Sequence, residues 1–101
     1  RAVTSDITPP TIILLYPLAG STVSGTVTVA LDVQDDTGVQ RVEFYVNGGN
    51  NGAPNATVNS APWNFDWNTT GLPLGDHSLY FKAYDVAGNV GTNGQVGYVI
   101  E

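Results

Sequence analysis

From Thr26 to Gln34 the chain alternates without a break: Val27, Val29, Leu31 and Val33 are interleaved with Thr28, Ala30 and Asp32. A period of two sends successive side chains to opposite faces of an extended strand, so one face packs inward and the other meets water. A chain built from such ribbons must bury their apolar faces against one another. The pattern recurs. Val42, Phe44 and Val46 oppose Arg41, Glu43, Tyr45 and Asn47, and Trp63, Phe65 and Trp67 share one parity. His77, Leu79, Phe81 and Ala83 oppose Ser78, Tyr80, Lys82 and Tyr84, and Val96, Tyr98 and Ile100 take the inward positions of a last strand over 95–100. Residues 11–16 make a first strand stopped by Pro17, and a short strand is expected at 57–59 before the tryptophan strand. No stretch repeats apolar residues at helical spacing. Seven short strands separated by Gly and Asn turns predict an all-β fold, a seven-stranded antiparallel β-sandwich.

With 101 residues and 42% hydrophobic side chains, one domain with a single core is expected. There is no Cys, which excludes a disulfide, a thiolate metal site and a cysteine nucleophile. Nine acidic residues against three basic ones give a net charge of −6, which offers nucleic acid no electrostatic footing. No apolar run approaches the roughly 18 residues of a membrane helix, so membrane insertion is not expected. Residues 1–10 are polar and end in Pro9-Pro10, the mark of a stiff interdomain linker, which leaves 11–101 as the domain. Neither a Met nor a cleavable leader is present, so the chain reads as a segment of a longer polypeptide that supplies its own secretion signal.

Several motifs in succession carry a family likeness. Thr8-Pro9-Pro10-Thr11, Val23-Ser24-Gly25-Thr26-Val27, Asp35-Asp36-Thr37-Gly38-Val39 and Val42-Glu43-Phe44-Tyr45-Val46 come first, and Ala61-Pro62-Trp63, Gly75-Asp76-His77 and Lys82-Ala83-Tyr84-Asp85-Val86-Ala87-Gly88-Asn89 follow. In this order they resemble a bacterial immunoglobulin-like domain of secreted or cell-surface multidomain proteins. The resemblance implies an extracellular, non-catalytic accessory module, a spacer and stabiliser whose partners are neighbouring domains of the same polypeptide, a hydrolase among the expected parents. Two features depart from it. The segment 47–56 is longer and richer in Asn and Gly than the family's usual hairpin. Ile13 and Leu15 are aliphatic where outward residues tend to be polar: either the segment 17–25 covers them, or they make an apolar contact with a neighbouring domain or partner.

Asp76-His77-Ser78 holds the residue types of a hydrolytic triad, but adjacent strand residues point to opposite faces, so His77 cannot engage both neighbours. At the start of its strand it is expected instead to tie the preceding connection to the backbone. The strand course brings Asp6, Asp35, Asp36 and Asp85 to the pole where the chain comes in, with Asn89 in the same loop set. Hard oxygen ligands on loops are what Ca²⁺ selects, although no cofactor is required by the fold. Alternatively, these residues cap their own turns. Tyr45, Tyr80 and Tyr84 share the outward parity of neighbouring strands. They form either a strip that stacks on a polysaccharide or a cell-surface protein, or a set of cross-strand pairs that stiffens the sheet.

Overall fold

A computed structural model of the chain describes residues 8–49 and 52–101. Eight strands follow in order: β1 (Thr11–Tyr16), β2 (Thr22–Val23), β3 (Thr26–Gln34), β4 (Val39–Val46), β5 (Ala56–Val58), β6 (Trp63–Asn68), β7 (Gly75–Asp85) and β8 (Val90–Ile100). They form two sheets, β1-β3-β6 and β2-β8-β7-β4-β5, packed as a sandwich. Alternation places the apolar parities of β3, β4, β6 and β7 between the layers. Val29, Val42, Phe44, Leu79, Phe81 and Ala83 have no exposed surface. Phe44 meets Phe65 at 5.1 Å and Phe81 edge-on at 5.7 Å, and Trp67 packs on Tyr98 at 5.8 Å. Each such pair contributes about 0.5–1.5 kcal/mol beyond the area it buries.

The eighth strand and its direction differ from expectation. β2 pairs with β8 in parallel, Thr22 opposite Val99 and Val23 opposite Ile100, so the sandwich is not antiparallel throughout. The cause lies at Pro17. It ends β1, lies buried, and its carbonyl accepts the Tyr98 hydroxyl at 2.7 Å, which draws the chain across from one sheet to the other. Residues 17–25 therefore run along β8 and do not cover β1. Ile13 and Leu15 stay 51% and 53% exposed, which overturns the covering account of their apolar character.

Strand pairing also fixes the two ends. Thr11 lies opposite Gln34, and Val39 opposite Asp85, so the start of β1, the end of β3 and the end of β7 share one pole. Ile100 lies opposite Gly75 and Val23 at the other. The described chain thus comes in at one tip of the sandwich and leaves at the other. Expected linker residues 1–7 lie outside the described residues. Pro10, by contrast, is buried and its backbone crosses β8 at Gly91. A side chain there would overlap the Pro10 carbonyl, whereas one at Gly97 on the same strand would meet nothing within 4 Å.

Gly91→Ala is therefore expected to destabilise the domain by about 1–3 kcal/mol, because backbone must shift to admit the methyl group. Gly97→Ala should be neutral or slightly stabilising, through the lower entropy of its unfolded chain. Urea midpoints of the two variants compared with the parent check both.

Candidate functional site

The carboxylates gather as their strands dictate. Asp35 and Asp36 follow β3, Asp85 ends β7, and the Val86 amide donates to the Gly38 carbonyl at 3.1 Å, which joins the 35–38 turn to the 85–89 turn. Asp6 lies outside the described residues. Asp85 has no exposed surface. Its Oδ1 accepts the Ala87 and Asn89 amides at 2.9 and 2.8 Å, and its Oδ2 accepts Asn89 Nδ2 at 2.9 Å. Asp35 Oδ2 accepts the Thr37 amide and hydroxyl at 3.1 and 3.0 Å and the Gly38 amide at 3.3 Å. Its Oδ1 is buried with no hydrogen-bond partner among the described residues. Asp36 is exposed. Asp85 and Asp35 thus each hold their own turn closed, and among the described residues no three carboxylate, imidazole or thiol groups converge on a metal position.

The tyrosines come together on the outer face of the five-stranded sheet. Tyr45 lies opposite Tyr80 and Arg41 opposite Tyr84 in the β4–β7 register, with Glu43 opposite Lys82 between them. The Tyr45 and Tyr80 rings are 5.3 Å apart. They do not form an open strip. Arg41 lies over the Tyr84 ring at 3.7 Å, and the Lys82 ammonium stands 5.3 and 5.9 Å from the Tyr45 and Tyr80 rings. Tyr45 is only 5% exposed, with Gly49, after the end of β4, lying against its ring. Gly49, at φ +94°, permits that approach: a Cβ there would stand 2.8 Å from the Tyr45 ring. Parity gives the side of the sheet on which Tyr45 lies, but only the glycine shows what covers it.

Glu43 organises the face. Its Oε1 accepts the Tyr45 hydroxyl at 2.7 Å and its Oε2 pairs with Arg41 Nε at 3.4 Å. Burial pushes its pKa up, but hydrogen bonds from Tyr45, Tyr84 and Arg41, with the Arg41 charge, outweigh burial and hold the carboxyl below its usual range. Burial first, and then bonding to Glu43, push the Tyr45 and Tyr84 phenols up. Arg41 is thereby turned toward the sheet face and does not offset the carboxylates of the pole.

His77 contributes no general base. One ring nitrogen, Nε2, lies 2.6 Å from the Pro73 carbonyl and the other, Nδ1, lies 2.8 Å from Asn47 Nδ2, so the ring ties the β6–β7 connection and the end of β4 together. Sequence reasoning placed the first tie. It missed Asn47, which is thirty residues distant and recognisable only by its Asn-Gly turn signal.

A family of known sequences matches this arrangement over residues 10–80, under the description bacterial Ig domain. The chain belongs to the bacterial Ig domain family. No curated protein sequence matches it. Among solved structures, this Ig domain superposes on part of an endo-beta-1,4-mannanase from Thermotoga petrophila with a TM-score of 0.70 and 18% identity, covering 95% of the chain and 20% of the mannanase. The fibronectin(III)-like modules of Clostridium thermocellum CbhA give 0.73 and 24%, over 94% of the chain and 48% of theirs. Dimeric latent PorU from Porphyromonas gingivalis gives 0.73 and 18%, over 98% of the chain and 11% of PorU. In each case the Ig domain spans less than half of the matched protein, and the likeness is one of fold.

Removing the Glu43 charge tests the face. Its folded pKa is lowered, so the stability it contributes is present above the unfolded carboxyl range and is lost as pH falls through the folded value. Glu43→Gln is expected to cost about 1–3 kcal/mol at pH 7. The gap in melting temperature should close as the pH falls below the ordinary carboxyl range and the folded-state carboxyl takes up its proton.

Proposed function

We propose that this Ig domain is a non-catalytic accessory module of a secreted multidomain protein, which spaces and orients its neighbours outside the cell. The observation that carries the reading is the placement of the two ends at opposite tips of one self-contained core. Such a body adds length between the domains it joins. One β8 alone, eleven residues at about 3.3 Å each, sets that length at roughly 35 Å. The superposed mannanase, CbhA and PorU chains, each longer than this domain, support membership of a multidomain polypeptide, and the mannanase favours a polysaccharide hydrolase as the parent. No acid, base and nucleophile converge among the described residues, and the one histidine spends both ring nitrogens on structure.

The tyrosine face serves the sheet in this reading. Arg41 lies over the Tyr84 ring and Gly49 packs against Tyr45, so these two rings offer a sugar no bare plane on which to stack. The acidic pole likewise serves its turns, and Ca²⁺ is not needed to close them.

Dyes on cysteines introduced at Pro9 and Glu101 should report a separation near or above 35 Å. A value under about 20 Å sinks the spacer reading. Insoluble mannan and cellulose should not deplete the domain from solution, and intrinsic fluorescence should not change with soluble glycans. Depletion by either polymer would make it a carbohydrate-binding module. Equal melting temperatures in excess Ca²⁺ and in chelator are expected, since a tight native-state site would raise the former.

A further inference from the structure

Each sheet of the sandwich has two edges, and an edge strand presents a row of backbone donors and acceptors to which another chain can add. Three of the four edges are blunted. β2 is two residues long and β5 three, and β6 carries Asn64, Asp66 and Asn68 along its outward side. β1 differs. Its six residues, Thr11-Ile12-Ile13-Leu14-Leu15-Tyr16, include no charge, proline or glycine, and among the described residues its backbone pairs only with β3. Ile12 and Leu14, opposite the buried Val33 and Leu31, turn to the core, and Ile13, opposite Asp32, turns outward. A bulge between Leu14 and Tyr16 is a common guard of an edge, but the residue it pushes out here is Leu15. Ile13, Leu15, Tyr16 and the following Leu18 are 51% to 67% exposed, four of the seven exposed large hydrophobic side chains among the described residues.

We propose that β1 is a self-pairing strand: a second copy of this chain adds its own β1 antiparallel to the first, and the two three-stranded sheets become one sheet of six strands across a two-fold axis. An uncharged aliphatic edge has nothing with which to select a charged peptide, whereas it is complementary to itself. With the axis normal to the sheet at Ile13, that side chain meets Ile13 of the other copy, and Ile12 meets Leu14, so every residue keeps the face it already has. Pro10 and Pro17 bracket the strand and have no N–H to donate, so the new ladder is confined to residues 11–16. Once paired, β1 has no edge left for a third copy.

Area and charge both permit the pair. The exposed apolar side chains supply roughly 500 Å² per copy, so two copies bring on the order of 1,000 Å², the lower bound of a specific and reversible interface. Each copy carries a net charge of −6, but none of it lies on β1. The carboxylate on the adjoining strand, Asp32, accepts Gln34 Nε2 at 2.6 Å, and Asp66, a further strand away, accepts the Thr28 hydroxyl at 3.1 Å. Across the joined sheet the two Asp32 side chains stand three strand spacings apart, about 14 Å, beyond the ~8 Å over which charges act in physiological salt. The pairing uses a flank of the sandwich and neither tip, so it stands apart from the spacer reading.

The test is sedimentation velocity on the 101-residue chain from about 5 μM to about 1 mM, in about 0.15 M and about 0.5 M NaCl. Over that range the chain should pass from monomer to dimer and no further, and the higher salt should tighten the pair by screening the like charges of the two copies. Ile13→Lys should weaken it about tenfold or more, because two ammonium groups would meet at the axis. Its melting temperature in dilute solution should stay within about 4 °C of the parent, since the side chain lies outside the core. Leu15→Lys should act in the same way and covers the case in which Ile13→Lys fails to fold. Leu74→Lys, which changes an exposed leucine at a tip, should leave the dimer as it is. Amide hydrogen exchange read by mass spectrometry should show β1 better protected in the concentrated sample than in the dilute one, the mark of a ladder and not of side-chain contact alone. The proposal is overturned by a monomer at the highest concentration, by a dimer that survives both β1 variants or is lost in Leu74→Lys, by growth beyond two copies, or by β1 protection that does not change with concentration.

Discussion

The sandwich depends on the chain changing layers at Pro17. With no cysteine there is no covalent tie between the sheets, so packing and polar contacts alone must hold them in register. Tyr98 does both. Its ring lies against Trp67 of the opposite layer, and its hydroxyl reaches the Pro17 carbonyl at the point where the backbone crosses over. Burial pushes the phenol up to about 12, so the joint keeps its proton over the whole ordinary pH range. The joint at Pro17 is therefore indifferent to acidity, whereas the contacts of Glu43 depend on a protonation state.

Legibility followed the range of the interaction. The elements β3, β4, β6 and β7 are visible as alternation, because one face of each is buried and nothing in their packing contradicts the period. β2 is not, since two residues carry no periodicity and their pairing is chosen by β8. The first half of β8, Val90-Gly91-Thr92-Asn93-Gly94, lacks an apolar rhythm and is a strand because β7 offers it a ladder. The turn role of Asp35 and Asp85 can be read from Asp followed by Gly at three residues. The closeness of Asn47 to His77 cannot, because it is set by the β4–β7 register and not by any local rule. Tyr45 shows the same limit from another side: strand parity assigned it to water, and a glycine four residues on removed it.

The two groups of polar residues that attract a functional reading are tied up internally in different ways, with Asp35 Oδ1 the one buried carboxylate oxygen left without a partner among the described residues. At the pole, single carboxylates accept several backbone amides each, which is how a turn without helix or sheet closes its own donors. On the sheet face, one carboxylate collects two phenols and a guanidinium, and the cations lie over the rings. Polar chemistry here is spent on holding shape. That economy suits a domain with only 12% charged residues.

The placement of the two ends has a mechanical consequence. A pull on the chain along the long axis draws β1 upward against β3 and β8 downward against β7. Both ladders lie along that axis, so their rungs bear the load side by side and must give way together, instead of parting one after another as in a zip. A body of this kind lengthens little under tension until a whole ladder fails.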